Sequence, residues 1–312
     1  MDKIPVINFS LFADSNVRNR QTVVKQIYQA CHEIGFMYLQ NHGISLDLIK
    51  QVFSKSKAFF NLSLEIKQQL AWSNEFSNQG YVGIEREKLD ANKPGDLKEA
   101  FNVGRKDAAT RGRDDAENFF VSCLSSPAKD SCILAFYQAC TELTHRILQA
   151  FALALQLPED FFITRHTEQN HTLRLLHYPP VQQLPQPGQV RAGEHSDYGS
   201  ITLLFQDEIG GLEIQTTAGQ WIAAPAIPDT VIVNTGDLMQ RWTNHVFCST
   251  KHRVIIPSDE RVKQSRYSVA FFCHPNDDTE IACLESCQKE HTPIYPPILA
   301  GEYLLSRLRA TY

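Results

Sequence analysis

The chain lacks any apolar run long enough to span a bilayer, and its opening Met1-Asp2-Lys3-Ile4-Pro5 has no apolar core of a signal peptide. A membrane or exported protein is therefore not expected, and the cytoplasm is the expected location. Positive charge is not in excess either: 30 Lys and Arg stand against 35 Asp and Glu, a net charge of −5, with no basic stripe. Nucleic-acid binding by counterion release has no electrostatic footprint here. Mixed-sign blocks such as Glu85-Arg86-Glu87-Lys88 read as solvated surface. No proline- or glycine-rich linker and no internal repeat divides the chain, so one unit with a single sizeable core is expected. No obligate protein partner is evident. The eight cysteines (31, 123, 132, 140, 248, 273, 283 and 287) contain no Cys-x-x-Cys pair, and several fall on apolar faces of predicted elements. Reduced, buried thiols are the favoured reading. Cys283 and Cys287, four apart, could touch, but no second ligand pair stands near them to complete a zinc site.

What is there divides at about Thr172. Before it the pattern is mainly helical. Val23, Val24, Ile27, Cys31 and Ile34 recur at helical spacing and stop at Gly35; Ser45 can cap a second helix carrying Ile49, Val52, Phe53, Phe59 and Phe60. A loop-like stretch from Asn74 to Asp115 precedes a long amphipathic segment. Its core positions are Ile133, Tyr137, Cys140, Leu143, Ile147, Phe151 and Leu155, and it ends at Leu157-Pro158. A helix of that length is expected to lie along the outside of a sheet. After Thr172, short alternating strands with Gly and Pro punctuation suggest a sandwich or barrel.

Within that second half stand His195-Ser196-Asp197, then His252, then Arg266-Tyr267-Ser268. A His-x-Asp arises by chance about once in a chain of this length; the joint order is what carries weight. Residues two apart on an extended strand point to one side, so His195 and Asp197 can converge on one metal. Ile201-Thr202-Leu203-Leu204-Phe205 continues as a half-buried strand. The strand-like segments around His252 and Arg266, separated by the turn residues Pro257-Ser258-Asp259-Glu260, read as a hairpin. Two imidazoles and a carboxylate can hold one face of an octahedral metal and leave three positions open, as non-haem Fe(II) oxygenases require. An Arg-x-Ser beyond the last ligand could anchor a carboxylate beside that metal.

The chain resembles the 2-oxoglutarate/Fe(II)-dependent oxygenases of the isopenicillin-N-synthase-like group, nearly end to end. Ile4-Pro5-Val6-Ile7-Asn8 is similar to the opening strand of that family. Gly35-Phe36 with Asn41-His42-Gly43, and Arg174-Leu175-Leu176-His177-Tyr178-Pro179, resemble two of its signatures. Gly210-Gly211-Leu212-Glu213-Ile214 with Trp221, Val233-Asn234-Thr235-Gly236-Asp237, Thr243-Asn244 and His252-Arg253-Val254 follow in family order. Leu176 stands where the family often has Asn, and the interval from His252 to Arg266, fourteen residues (266 − 252), is longer than in plant members.

The resemblance implies a mixed α/β fold with a mainly β core: a double-stranded β-helix, or jelly roll, with an N-terminal helical support region. Its parts would be residues 1–166 packed on the barrel, a 167–277 core and a 278–312 extension, forming one structural unit. It implies Fe(II) held by His195, Asp197 and His252, with 2-oxoglutarate as cosubstrate, dioxygen, and ascorbate as a reductant. Arg266 and Ser268 would hold the distal carboxylate of 2-oxoglutarate, with a phenol contributed by Tyr178. The substrate is expected to be a small organic metabolite and its oxidation a hydroxylation. Arg174 shares a strand face with Tyr178 and Phe272 shares one with Arg266, so both are candidate substrate contacts. Tyr81 and Phe101 match regions that line substrate pockets in relatives. Two alternatives stay open at this point: an iron oxidase of the same fold that does not use 2-oxoglutarate, and a non-catalytic small-molecule-binding protein.

Overall fold

Strands of alternating pattern build two facing sheets, and helices cover one of them. The computed structural model describes residues 3–71, 79–88, 93–104, 132–182, 185–288 and 292–311. The first half supplies β1 (Val6–Asn8), α1 (Val17–Glu33), β2 (Phe36–Gln40), α2 (Leu46–Phe60), α3 (Leu64–Gln69), β3 (Gly80–Val82), β4 (Glu99–Val103) and α4 (Cys132–Ala154). Then come β5 (Thr172–Tyr178), β6 (Ala192–His195), β7 (Ile201–Gln206), β8 (Leu212–Gln215), β9 (Trp221–Ala223) and β10 (Thr230–Thr235). The chain continues with α5 (Asp237–Trp242), β11 (His252–Val254), β12 (Arg266–Cys273), β13 (Glu280–Ile281), β14 (Ile298–Leu299) and α6 (Ala300–Thr311).

The larger sheet has the order β1-β2-β10-β7-β12-β5-β4-β3 and the smaller β6-β11-β8-β9. From β5 to β12 the chain passes back and forth between the two, which is the winding of a double-stranded β-helix. The period-2 rule then sorts every strand of the large sheet. On β12, Tyr267, Val269, Phe271 and Cys273 join the core under the helices, while Arg266, Ser268, Ala270 and Phe272 face the space between the sheets. On β5, Leu173 and Leu175 take the helix side and Arg174, Leu176 and Tyr178 the inner side. α4 seals the outer face, with Phe136 against Phe205 and Tyr137 against Phe271, ring centroids 5.1 Å apart in each pair.

Helix boundaries follow local chemistry. The Asn16 side chain accepts the Arg18 N–H at 3.0 Å and starts α1. Gly35 ends it at φ +67°, where any Cβ would lie 2.2 Å from the Cys248 carbonyl oxygen. Ser45 occupies the N-cap of α2, but its hydroxyl makes no cap hydrogen bond.

Three expectations are corrected. The 74–115 stretch is not loop throughout, because β3 and β4 extend the large sheet beside β5. Both are buried on both faces and so show no alternation to read. His252 and Arg266 do not flank a hairpin: β11 pairs with β6 and β8, whereas β12 pairs with β5 and β7. Each strand already has both edges occupied, so the 255–265 segment crosses between sheets. β7 is mostly buried rather than half-buried, since helices cover one face and the inner space takes the other.

The seven described cysteines are free, and burial pushes the thiols of Cys31, Cys140 and Cys273 upward. Cys123 lies outside the described residues. Among the described residues no helix is long and apolar enough to cross a membrane.

Candidate active site

Antiparallel pairing of β6 with β11 sets His195 opposite His252, their ring centroids 4.3 Å apart. Asp197 lies past the end of β6, in the turn toward β7, so the His-x-Asp spacing converges through a turn rather than along one strand. Two contacts fix it there. Its backbone carbonyl accepts the Asp237 N–H at 2.7 Å, at the start of α5, and its Oδ2 accepts from Asn234 Nδ2 at 2.7 Å. The Nε2 atoms of His195 and His252 lie 4.0 and 3.7 Å from Asp197 Oδ1. One ligating atom from each residue falls within 4.8 Å of the others, a group that could hold a metal ion.

Each imidazole is oriented through its other nitrogen. His195 Nδ1 donates to the Gly193 carbonyl at 2.7 Å and His252 Nδ1 to the Thr250 carbonyl at 3.2 Å, which leaves both Nε2 lone pairs turned to the centre. Burial first, and His252 second, holds His195 well below its ordinary value, so it is neutral. Burial also works to raise Asp197, but His252, His195 and hydrogen bonds from Asn234 and Thr202 outweigh it, leaving the carboxyl below its usual range. Two neutral imidazoles and one carboxylate on one side of an open space form a donor set suited to Fe(II).

The close approach behind Asp197 depends on Gly236, where a Cβ would meet the Gly199 carbonyl oxygen at 2.3 Å and that of Asp197 at 2.9 Å. Both are backbone atoms and cannot swing aside. Gly236→Ala is expected to cost about 1–3 kcal/mol, as overpacking does, and to weaken metal retention by displacing Asp197. Thermal melts with and without added Fe(II) check this; an unchanged melt and full metal occupancy would show that the turn has slack.

A cavity of about 760 Å³ opens beside the three residues. At one end Arg266, 1 % exposed, donates from Nη1 to Ser268 Oγ at 3.2 Å and from Nη2 to Gln206 Oε1 at 3.0 Å. Its Nε has no partner, and its Cζ lies 4.7 Å from the centre of the Tyr178 ring. A buried guanidinium with only neutral acceptors and a spare donor fits an incoming carboxylate, the distal group of 2-oxoglutarate. Arg174 and Phe272 also line the cavity, as does Leu176. From α6, Leu304, Leu305 and Leu308 close one side.

Tyr81 and Phe101 are not brought to the cavity. They are register partners on the opposite face, packed with Phe59 in the helix-side core, and the Tyr81 hydroxyl donates to Glu99 Oε2 at 2.6 Å. Parity decides this: Ala100 faces inward, so Phe101 cannot. Conversely, Glu87 is not solvated surface but a 5 % exposed residue of the cavity wall, beside Lys98. Neither carries a sequence signal of its role, because the short buried strands around them show no period. Asn234 did have one, inside Val233-Asn234-Thr235-Gly236-Asp237, but its contact with Asp197 required the fold.

A double-stranded β-helix holding a His, Asp, His cluster at one end of its cavity and a buried arginine at the other defines the class of non-haem iron oxygenases. More specifically, the chain belongs to the 2OG-Fe(II) oxygenase superfamily, whose family description matches residues 169–275. Residues 4–123 match the family described as the N-terminal part of the non-haem dioxygenase in morphine synthesis. The 2-oxoglutarate-dependent dioxygenase htyE of Aspergillus rugulosus is 30% identical over 328 residues, with 99% of each chain covered. Proline hydroxylase buaE of Petromyces alliaceus is 33% identical over 319 residues, covering 98% of each. A full-length Neurospora crassa protein crystallised with alpha-KG superposes with a TM-score of 0.86 at 36% identity, covering 98% of this chain and 96% of that one. The same protein was crystallised with alpha-KG and thymine. This chain is thus a 2-oxoglutarate-dependent dioxygenase, with Fe(II) as its metal and 2-oxoglutarate as its cosubstrate, oxidising a small molecule.

Proposed function

We propose that the enzyme hydroxylates a small, flat, polar ring compound, with free pyrimidine bases as the leading class. His195, Asp197 and His252 hold Fe(II), and Arg266, Ser268 and Tyr178 hold 2-oxoglutarate. The observation that carries this is the cavity itself: three metal donors stand near one end, and an arginine with no ion-pair partner among the described residues stands at the other. Bound Fe(II), with 2-oxoglutarate and dioxygen, supplies the oxidising power; one oxygen atom goes to succinate, carbon dioxide leaves, and the other oxygen goes to product.

The protein supplies position and dryness. Arg266 and Ser268 orient the cosubstrate through its far end, which leaves its keto-acid end toward the metal donors. Phe272 offers a ring face on which a planar substrate can stack, and Arg174 can donate to its polar edge. The leucines of α6 on one side of the cavity keep water from the reacting centre. The ring class is supported by the Neurospora crassa relative crystallised with thymine and, separately, with 5-formyluracil.

Without substrate, slow conversion of 2-oxoglutarate to succinate is expected, with gradual self-inactivation that ascorbate relieves. Thymine should raise succinate formation well above this idle rate, and product bearing one added oxygen should match succinate one for one. Succinate release and mass spectrometry over a panel of thymine, uracil and proline check this. Acceleration by proline and none by either base would replace the pyrimidine reading with an amino-acid one.

A further inference from the structure

One wall of the cavity is built from charges that cancel. Glu87, Lys98 and Arg174 line it, and Asp96 stands behind them. Lys98 Nζ donates to Asp96 Oδ2 at 2.5 Å and lies 3.0 Å from Glu87 Oε2, while Arg174 pairs with the other Glu87 oxygen. Burial works against the charge on Lys98, yet Glu87 and Asp96 outweigh it and hold the ammonium above the ordinary lysine value. Two carboxylates thus face two cations, each engaged, with no charge left over among the four. The wall is also joined to the metal end. Asp96 Oδ1 accepts the Gly193 N–H at 2.8 Å, and the Gly193 carbonyl is the one that orients His195.

This balance restricts what can bind. A ligand carboxylate approaching Arg174 or Lys98 must displace Glu87 or Asp96 from its cation, and the displaced carboxylate has no water to move into. An uncharged ligand requires no such exchange. An edge with an N–H beside a carbonyl can donate to Glu87 and accept from Arg174 or Lys98 while the ion pairs stay intact. Elsewhere the cavity is apolar, lined by Phe36, Leu176, Leu212, Val254 and Phe272, and offers nothing to a second charge.

We propose that Glu87 and Lys98, together with Arg174, are specificity-determining residues that select an uncharged substrate presenting a hydrogen-bond donor beside an acceptor, and that reject carboxylates. This rests on the reading of the cavity as the substrate site and extends it from ring shape to charge.

The first arm of the test needs no knowledge of the substrate. Crystals of the protein loaded with Zn(II) and 2-oxoglutarate are soaked in bromide, located by its anomalous scattering. Wild type is expected to hold no bromide at Arg174 or Lys98. Glu87→Gln keeps the shape but removes one negative charge, so it should bind bromide there. Bromide at this wall in wild type, or none in crystals of Glu87→Gln, overturns the proposal. The second arm uses only the native chain, in case that variant does not fold. Calorimetry compares thymine with orotate and nicotinamide with nicotinate. The neutral member of a pair should bind at least about 30-fold tighter, the change expected when one partner of a buried charge pair is lost. A tighter carboxylate in either pair overturns the proposal. If no ring binds at all, the pyrimidine reading fails, while the wild-type bromide soak still decides the charge of the wall.

Discussion

His195→Ala, Asp197→Ala and His252→Ala are each expected to abolish Fe(II)-dependent turnover while leaving a folded protein. A facial site has three protein donors, and two cannot fix both the position and the open coordination sites of the ion. Removing even an outer partner of a metal ligand costs roughly 10–100-fold in metal affinity, so losing a ligand itself should exceed about 100-fold. The folded state should survive because the three side chains stand at the rim of the small sheet, not in either hydrophobic core. The variants should still differ in stability. Asp197→Ala strips Asn234 Nδ2 of its acceptor in a buried place, a loss of about 1–3 kcal/mol; the two histidines donate only to backbone carbonyls that can take other partners. Metal content, far-ultraviolet circular dichroism and turnover decide the matter together. Wild-type turnover in any of the three, with no external ligand replacing the side chain, would remove that residue from the metal site.

Legibility in the sequence followed the physics of each segment. β5 and β12 alternate in function as well as polarity, so Arg174, Leu176 and Tyr178, and Arg266, Ser268 and Phe272, could be grouped by face before any fold was known. The long apolar period of α4 was equally plain, because a helix covering a sheet must carry one continuous stripe. β3 and β4 were not legible. A strand buried on both faces loses its period, and with it went the parity that turns Tyr81 and Phe101 away from the cavity. The supposed hairpin failed for a different reason: turn residues between two strands say that the chain bends, not which sheet it enters next. Glu87 failed through its neighbours. A mixed-sign run is normally solvated, and only the arrival of Lys98 and Arg174 from other strands makes burial of that carboxylate tolerable.

Arg266→Lys is expected to raise the Michaelis constant for 2-oxoglutarate by roughly 30- to 150-fold, the equivalent of about 2–3 kcal/mol for lost charge-assisted hydrogen bonds. The charge is kept, so the effect isolates geometry. The guanidinium is 1 % exposed, spends one donor on Ser268 and one on Gln206, and still has Nε without a partner. A lysine ammonium is a single point with rotatable donors, and it cannot span both neighbours and grip a carboxylate as well. The register explains why Tyr178 belongs to the same site: Arg266 pairs directly with it across β5 and β12. Ser268→Ala and Tyr178→Phe, each losing one neutral hydrogen bond, should raise the constant by about 2- to 10-fold. Iron affinity should hardly move in any of the three, because none touches the metal donors. Steady-state kinetics in 2-oxoglutarate, beside metal titration, separate the two ends of the cavity. An unchanged constant in Arg266→Lys would mean that the distal carboxylate is anchored elsewhere, and the buried arginine would then need another anion to account for its unpaired donor.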